Sequence, residues 1–356
     1  MRDEAVPSRG DRAAAAGPAT SSAGECGVKD QVSRSGPPTT SPPGGDAREL
    51  APRHIAIVGP TAAGKTALAA AIARDLPAVE IVSVDSMAVY RGLDIGTAKP
   101  TRAERAGVRW HLLDLADPSE DFSVAQFQAA GRAVLADVES RGRRALLVGG
   151  TGLYHRALLD DLELPGRYPA VAEALEREAD ESGLPRLYER LVALDPVAAG
   201  RILPGNRRRI VRALEVTLGS GRPFSCSGPG LESYGPSRVA QVGLALDREV
   251  LDARIAARLD EQMGSGLLDE VARLAASPRG IGRTARQALG YRELLEHLSG
   301  ERTLEDALEQ IRRRTRAFAR RQQRWFARDP RVRWLPGDAP DLAAAAVELA
   351  RATLGS

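Results

Sequence analysis

Residues 54–76 read HIAIVGPTAAGKTALAAAIARDL: an apolar run, a glycine-bounded loop and an alanine-rich helical pattern in direct succession. Few arrangements constrain a fold more tightly. A GxxxxGK[ST] match arises by chance, but one set between a strand run and a helix run is far more specific. Its glycines let the backbone curl until successive N–H groups converge on one anion. The lysine adds a point charge, the threonine offers a hydroxyl to Mg²⁺, and the helix aims its positive end inward. Gly59, Pro60, Thr61, Ala62, Ala63, Gly64, Lys65 and Thr66 are therefore the expected diphosphate- or nucleotide-binding set, with Thr66 as the expected metal ligand.

Further apolar runs at 80–84, 110–114, 144–149, 238–246 and 332–335 predict strands. Helical patterns separate most of them, which implies an α/β domain with a mainly parallel sheet and helices on both faces, like a P-loop NTPase core. Ligands in such sheets bind beyond the carboxyl ends of the strands. Polar signatures follow three of those ends: the loop itself, Asp85-Ser86, and Gly149-Gly150-Thr151. Between 161 and 237 the alternation stops, and helices are expected at 170–182, 185–194 and 205–218, followed by a Gly/Pro/Ser-rich loop. This stretch reads as an all-helical insertion. The core thus comprises 51–160 and 238–340, with a C-terminal helix over 341–356. Residues 1–50 are rich in Gly, Pro, Ser and Ala without apolar periodicity, and are expected to be a disordered tail. The tail lacks the apolar core of a secretory signal, and acids such as Asp3, Glu4 and Asp11 argue against a mitochondrial presequence.

Composition excludes several classes. Cys26 and Cys226 are far apart and have no His or Cys cluster beside them, which argues against a disulfide framework or zinc knuckle and for a reducing cytoplasm. No apolar stretch approaches the roughly 18–20 residues that span a bilayer, so no membrane partner is expected. The net charge is only +3, yet arginine crowds 201–212 and 312–328. In 311–328, Ile311, Phe318 and Trp325 recur every seven residues as a candidate core stripe, and arginines cover the remainder. Unbalanced arginine on one helix suggests a polyanion partner.

A phosphate loop suggests an NTPase or kinase. Such enzymes normally carry a second apolar strand ending in Asp for Mg²⁺, but here the 144–149 run ends in Gly149-Gly150-Thr151. The available carboxylate is Asp85, on the strand after the first helix. So placed, it suits an acceptor nucleophile, as general base, better than a nucleotide; a helix cap or Mg²⁺ ligand is the alternative.

Seven blocks occur in order: GPTAAGKT, SVDSMAVYRGLDIGTAKP, HLLDLADP, LLVGGTGLY, RRIVRALEV, ALGYRE and RRQQRWF. Together they resemble the tRNA dimethylallyltransferase (isopentenyltransferase) family, of bacterial type, over residues 53 to about 336. The resemblance implies transfer of a dimethylallyl group from dimethylallyl diphosphate to N6 of the adenosine 3′-adjacent to the anticodon, with diphosphate released and Mg²⁺ as cofactor. It implies Asp85, Thr151 and Arg258 as catalytic residues, with Arg254 a rival to Arg258. It also implies tRNA contacts from Asp85, Ser86, Met87, Ala88, Arg208, Arg209, Arg286, Gly290, Tyr291, Arg292, Arg320, Arg321 and Gln322. The partners are then a tRNA anticodon stem-loop and dimethylallyl diphosphate, and the simplest assembly is a cytoplasmic monomer. The competing readings are an ATP-dependent small-molecule kinase, an enzyme that prenylates free adenine nucleotides, and a non-catalytic RNA-binding NTPase.

Overall fold

The apolar runs that flank the phosphate loop become adjacent strands. The computed structural model describes residues 52–228 and 230–354; the expected tail lies outside them. Among the described residues, β1 (His54–Val58), β2 (Val79–Ser83), β3 (Trp110–His111), β4 (Arg144–Val148), β5 (Val239–Ala245) and β6 (Val332–Pro336) form one parallel sheet in the order β3-β2-β4-β1-β5-β6. Ile55, Ile57, Leu146 and Val148 enter one core, and Ala56, Val58, Ala145 and Leu147 the other. Strands buried on both faces need this apolar continuity. Each fully buried Leu or Ile contributes about 1.5–3 kcal/mol.

Helices α1 (Lys65–Asp75) and α12 (Leu342–Leu354) pack on the first face. On the second lie α2 (Val124–Ser140), α3 (Gly152–Leu159), α9 (Leu267–Ala275) and α10 (Tyr291–Leu298). Helices α8 (Arg248–Gly264) and α11 (Leu304–Phe326) contribute side chains to both cores. None of the helices is long and apolar enough to cross a membrane, among the described residues.

The insertion contains α4 (Pro169–Ser182), α5 (Leu184–Leu194), α6 (Pro196–Arg201) and α7 (Arg207–Ser220) around its own core of Leu175, Leu187, Leu191, Ile210 and Leu214. The short α6 was not expected from the sequence. It is too brief to show an apolar period and is set by its start: Asp195 accepts the Ala198 N–H at 2.9 Å, with Pro196 in the first position.

Two expectations fail in the packing. The buried residues of α11 are Ala307, Ile311, Ala319, Gln322 and Phe326, and Trp325 packs half-buried against the same core as Ile311, so the stripe misses Phe318. A strict seven-residue repeat drifts about 20° per heptad around a straight helix; Phe318 faces a cleft instead, and Trp325 sits at the border of core and cleft. Tyr291 was expected to stack on RNA, but it is fully buried. Its hydroxyl donates to Glu270 Oε1 at 2.5 Å, and its ring packs where a Cβ on Gly96 would sit. Burial and the Glu270 charge together hold its phenol above the ordinary range.

Glu270 is itself buried. Its Oε2 accepts the Asp94 and Ile95 amides at 3.0 and 2.8 Å, and Oε1 accepts Gly96 at 3.1 Å. One carboxylate thus organises the loop that forms a wall of the cleft. Removing it leaves three amides and a phenol without an acceptor. Glu270→Ala should destabilise the fold by about 3 kcal/mol or more, read as a lower urea midpoint, whereas a shift under about 0.5 kcal/mol would show that water replaces the carboxylate.

Candidate active site

Strand order brings the three polar signatures together. Since β4 lies between β2 and β1, and Val148 is level with both Ser83 and Ile57, the chain leaves all three strands at one height. The phosphate loop, Thr151 and Asp85 emerge side by side at the carboxyl edge, where open α/β sheets place their ligands.

The loop curls through Gly59 at φ +136°, Ala62 at +63° and Gly64 at +87°. Glycine was expected to supply the curl, yet Ala62 also adopts the left-handed region, at a cost of about 1–2 kcal/mol. Helix α1 then begins with no side-chain cap and no acid in its first turn. Its first amides are therefore available to an anion. Lys65 is buried, with Nζ donating to Pro60 O at 2.5 Å. Burial, and then repulsion from Arg258, draw its pKa down to about 7 against the attraction of Asp85. Arg258 on α8 reaches the loop with Nη1 3.4 Å from Thr61 Oγ1, and burial lowers its pKa too. The rival Arg254 places its Nη1 3.4 Å from Gly337 O. Arg258 is thus the arginine tied to the loop.

Asp85 accepts the Met87 and Ala88 amides through Oδ1 at 2.8 and 3.2 Å. Its Oδ2 has no hydrogen bond among the described residues, and the residue lines the cleft. Thr151 precedes α3 without capping it; its Oγ1 instead accepts the Ser86 amide at 3.1 Å. That bond ties the β4–α3 turn to the segment carrying Asp85. The neighbouring His155 is buried at 1% exposure, and burial pushes its imidazole down to about 3. It stays neutral and is no rival base.

Gln322 corrects a further expectation. It was assigned to RNA, but it is buried inside the site. Its Oε1 accepts the Thr61 amide at 2.8 Å and its Nε2 donates to Gly150 O at 2.9 Å. The glycines opposite α11 are required by close approach: a Cβ on Gly150 would stand 2.1 Å from Gln322 Nε2, and one on Gly152 2.1 Å from Trp325 Nε1.

A cleft of about 3530 Å³ opens in front of these groups. Its walls come from the sheet edge, the 94–105 segment, the insertion, α8 and one face of α11 (Arg314, Phe318, Arg321, Trp325, Arg328). Basic side chains outnumber acidic ones about two to one along it. Ser86, Met87, Ala88, Arg208, Arg209, Arg292 and Arg321 line it; Arg286, Gly290, Tyr291 and Arg320 are absent from its lining. Gly290 is buried at φ +92°, starting α10, so it has no face to offer RNA; Arg286 and Arg320 are exposed.

The arginines of α11 divide in two. Arg312, Arg314 and Arg316 have ion pairs with Asp260, Glu293 and Asp252, from α8 and α10. Arg313, Arg320, Arg321, Arg324 and, just past the helix, Arg328 have none among the described residues. Four of these five lie in the last two turns of the helix or just beyond them.

No group of three or more His, Cys, Asp or Glu side chains could cage a metal among the described residues. Thr66, exposed on the first turn of α1, suits a metal that arrives with a phosphate ligand.

Residues 88–329 match the family model for IPP transferase. Over 300 residues the chain is 50% identical to a tRNA dimethylallyltransferase of a Nocardioides species, covering 84% of this chain and 96% of that one. Among solved structures it is similar to a full-length tRNA isopentenylpyrophosphate transferase from Bacillus halodurans, at 37% identity and TM-score 0.62, over 85% of this chain and 96% of that one. It is also similar to a eukaryotic dimethylallyltransferase acting on tRNA, at 25% identity and TM-score 0.69, over 85% of this chain and 78% of that one.

A lysine held near pH 7 makes anion binding pH-dependent. An anion favours the charged lysine, so binding is tightest below about 7 and weakens as the side chain loses its proton above that value. Sulfate, whose own charge is constant there, should lose affinity by up to about tenfold per pH unit between about 7 and 9. Lys65→Met should bind sulfate weakly and without that slope. A wild-type affinity flat with pH would contradict the assignment.

Proposed function

The chain belongs to the IPP transferase family, and we propose that its phosphate loop holds dimethylallyl diphosphate while the cleft delivers the N6 amine of an anticodon-loop adenosine to Asp85. One observation carries this reading: the sheet order sets a carboxylate with a free oxygen beside a phosphate loop that contains the buried Lys65 and is reached by the half-buried Arg258.

An adenine N6 is a weak nucleophile because its lone pair is delocalised into the ring. It attacks C1 of the dimethylallyl group, the N6–C1 bond forms, and the C1–O bond breaks. The bonding pair leaves on the diphosphate oxygen, and the amine proton passes to Asp85. General-base catalysis of this kind contributes about 10²–10⁴-fold. The α1 amides, Lys65 and Arg258 meet the charge that develops on the leaving oxygen, the usual location of the largest catalytic term. Thr151 lies between the two halves, its hydroxyl held by Ser86. Thr66 would hold Mg²⁺ together with the diphosphate oxygens and water, and the ion would neutralise leaving-group charge.

The acceptor is the adenosine 3′-adjacent to the anticodon. Extruding an unpaired loop base costs only a few kcal/mol, and the cleft has a volume of about 3530 Å³. Arg321, Arg328, Arg208 and Arg209, which line it, would provide phosphate contacts, with the exposed Arg320 beside them. The working form is a cytoplasmic monomer. A kinase reading fits less well, because β4 ends without the carboxylate that holds the metal of a nucleotide.

Incubating tRNA with the protein, Mg²⁺ and dimethylallyl diphosphate, then analysing nucleosides by mass, should show one added C5H8 unit on adenosine. Transfer of a labelled γ-phosphate from ATP instead would overturn the reading. Asp85→Ala should lower turnover by about 10²–10⁴-fold while tRNA affinity stays within about threefold; a parallel loss of binding would remove the base assignment. The double variant Arg320→Glu/Arg321→Glu should weaken tRNA binding by on the order of tenfold or more and flatten its salt dependence. Diphosphate affinity should hardly change, and equal losses for both ligands would refute that division.

A further inference from the structure

Gln322 lies at none of the reacting atoms, yet it is the side chain that joins the two halves of the site. We propose that it is a positioning residue for prenyl transfer: it fixes the separation between the phosphate loop and the Thr151–Asp85 side. The proposal rests on the reading above and assigns that site a component the reading does not need.

Four observations carry it. First, both ends of the amide are used, on backbone atoms rather than on solvent. Thr61 N–H donates to Oε1 at 2.8 Å, and Nε2 donates to Gly150 O at 2.9 Å. Thr61 belongs to the loop that holds the leaving group, and Gly150 immediately precedes Thr151. Second, each anchored residue is one bond from the chemistry. Thr61 Oγ1 receives Arg258 at 3.4 Å, and Thr151 Oγ1 receives the amide of Ser86, next to Asp85. Third, the bridge is built to a tight tolerance. Gly150 has room for the amide only because it lacks a Cβ, which would sit 2.1 Å from Nε2 and 3.3 Å from Gly59 O. Fourth, the side chain is 7% exposed, with its oxygen and its nitrogen each bonded to a backbone atom.

The physical consequence is specific. Gln322 borders the cleft, but both polar ends of its amide are engaged by backbone atoms, so its loss is expected to leave the affinity for either ligand largely intact. What changes is how accurately the leaving group and the nucleophile face each other. A displacement of about 1 Å in such a pair costs on the order of 100-fold in rate. The amide also places the register under the control of α11, whose next residue on one side, Arg321, lines the cleft.

The test compares wild type, Gln322→Met, Gly150→Ala and the double variant. Gln322→Met keeps the side-chain volume and removes both hydrogen bonds; Gly150→Ala displaces the amide from the other side. Each single variant should lower kcat by about 10–100-fold, with KM for dimethylallyl diphosphate, Kd for tRNA and Kd for inorganic diphosphate within about threefold of wild type. The double variant should be no slower than the slower single one, because both break one bridge. A kcat within about twofold of wild type in a folded Gln322→Met protein would overturn the proposal. So would parallel losses in kcat and diphosphate affinity, which would make Gln322 part of the anion site, or multiplicative losses in the double variant. Should Gln322→Met not fold, Gly150→Ala gives the same kcat-against-KM reading. Prenyl transfer by wild type is the control that separates the two claims: without it the functional reading fails, and with it only the bridge is at stake.

Discussion

Lys65 is buried in the phosphate loop, the half-buried Arg258 reaches it from α8, and the rest of the site is arranged around that pair of cations. Two carboxylates oppose their repulsion: Asp85 attracts both cations, and Glu261 attracts Arg258. Burying like charges is unfavourable unless an anion completes the set. Such a locus marks a functional site more strongly than a folding device, because a fold gains nothing from it. A diphosphate carries more charge than one carboxylate can supply and fits the uncapped start of α1. On the proposed reading, a bound diphosphate then leaves Asp85 to serve the nucleophile.

The sheet explains why these groups meet although they are spread over some two hundred residues of chain. Placing β4 between β2 and β1 converts three separate strand ends into one edge. Helix α11 then runs behind that edge with two different faces. One face enters the cores through Ile311, Ala319 and Phe326, and the other lines the cleft through Phe318, Arg321 and Trp325. Gln322 lies at the border between them. On the proposed reading, RNA recognition, leaving-group binding and the nucleophile side thus all touch one helix of the fold, and sites built on such elements are held more accurately than sites on loops.

Much of this was legible in the sequence, for a physical reason. Strands buried on both faces must be short unbroken apolar runs, and each of the six expected runs overlaps an observed strand. The run of helices between β4 and β5 was visible because strand patterns vanish within it. What was not legible depends on contacts between distant residues. Tyr291 looks like an exposed aromatic until Glu270 and Gly96 are placed against it. Gln322 reads as one more RNA contact among arginines until its partners, 261 and 172 residues away, are known. The charge on α11 looks uniformly unbalanced until Asp252, Asp260 and Glu293 arrive from other helices. The strained Ala62 was hidden because glycines flank it on both sides of the loop.

The central claim is spatial: leaving group and proton acceptor stand on opposite sides of one reacting carbon–nitrogen pair. A crystal structure with an unreactive thio-analogue of dimethylallyl diphosphate and an anticodon stem-loop tests it directly. The account predicts the diphosphate on the α1 amides between Lys65 and Arg258, and the adenine amine within about 3 Å of Asp85. A diphosphate bound elsewhere, or an amine beyond reach of that carboxylate even through one water, would contradict it.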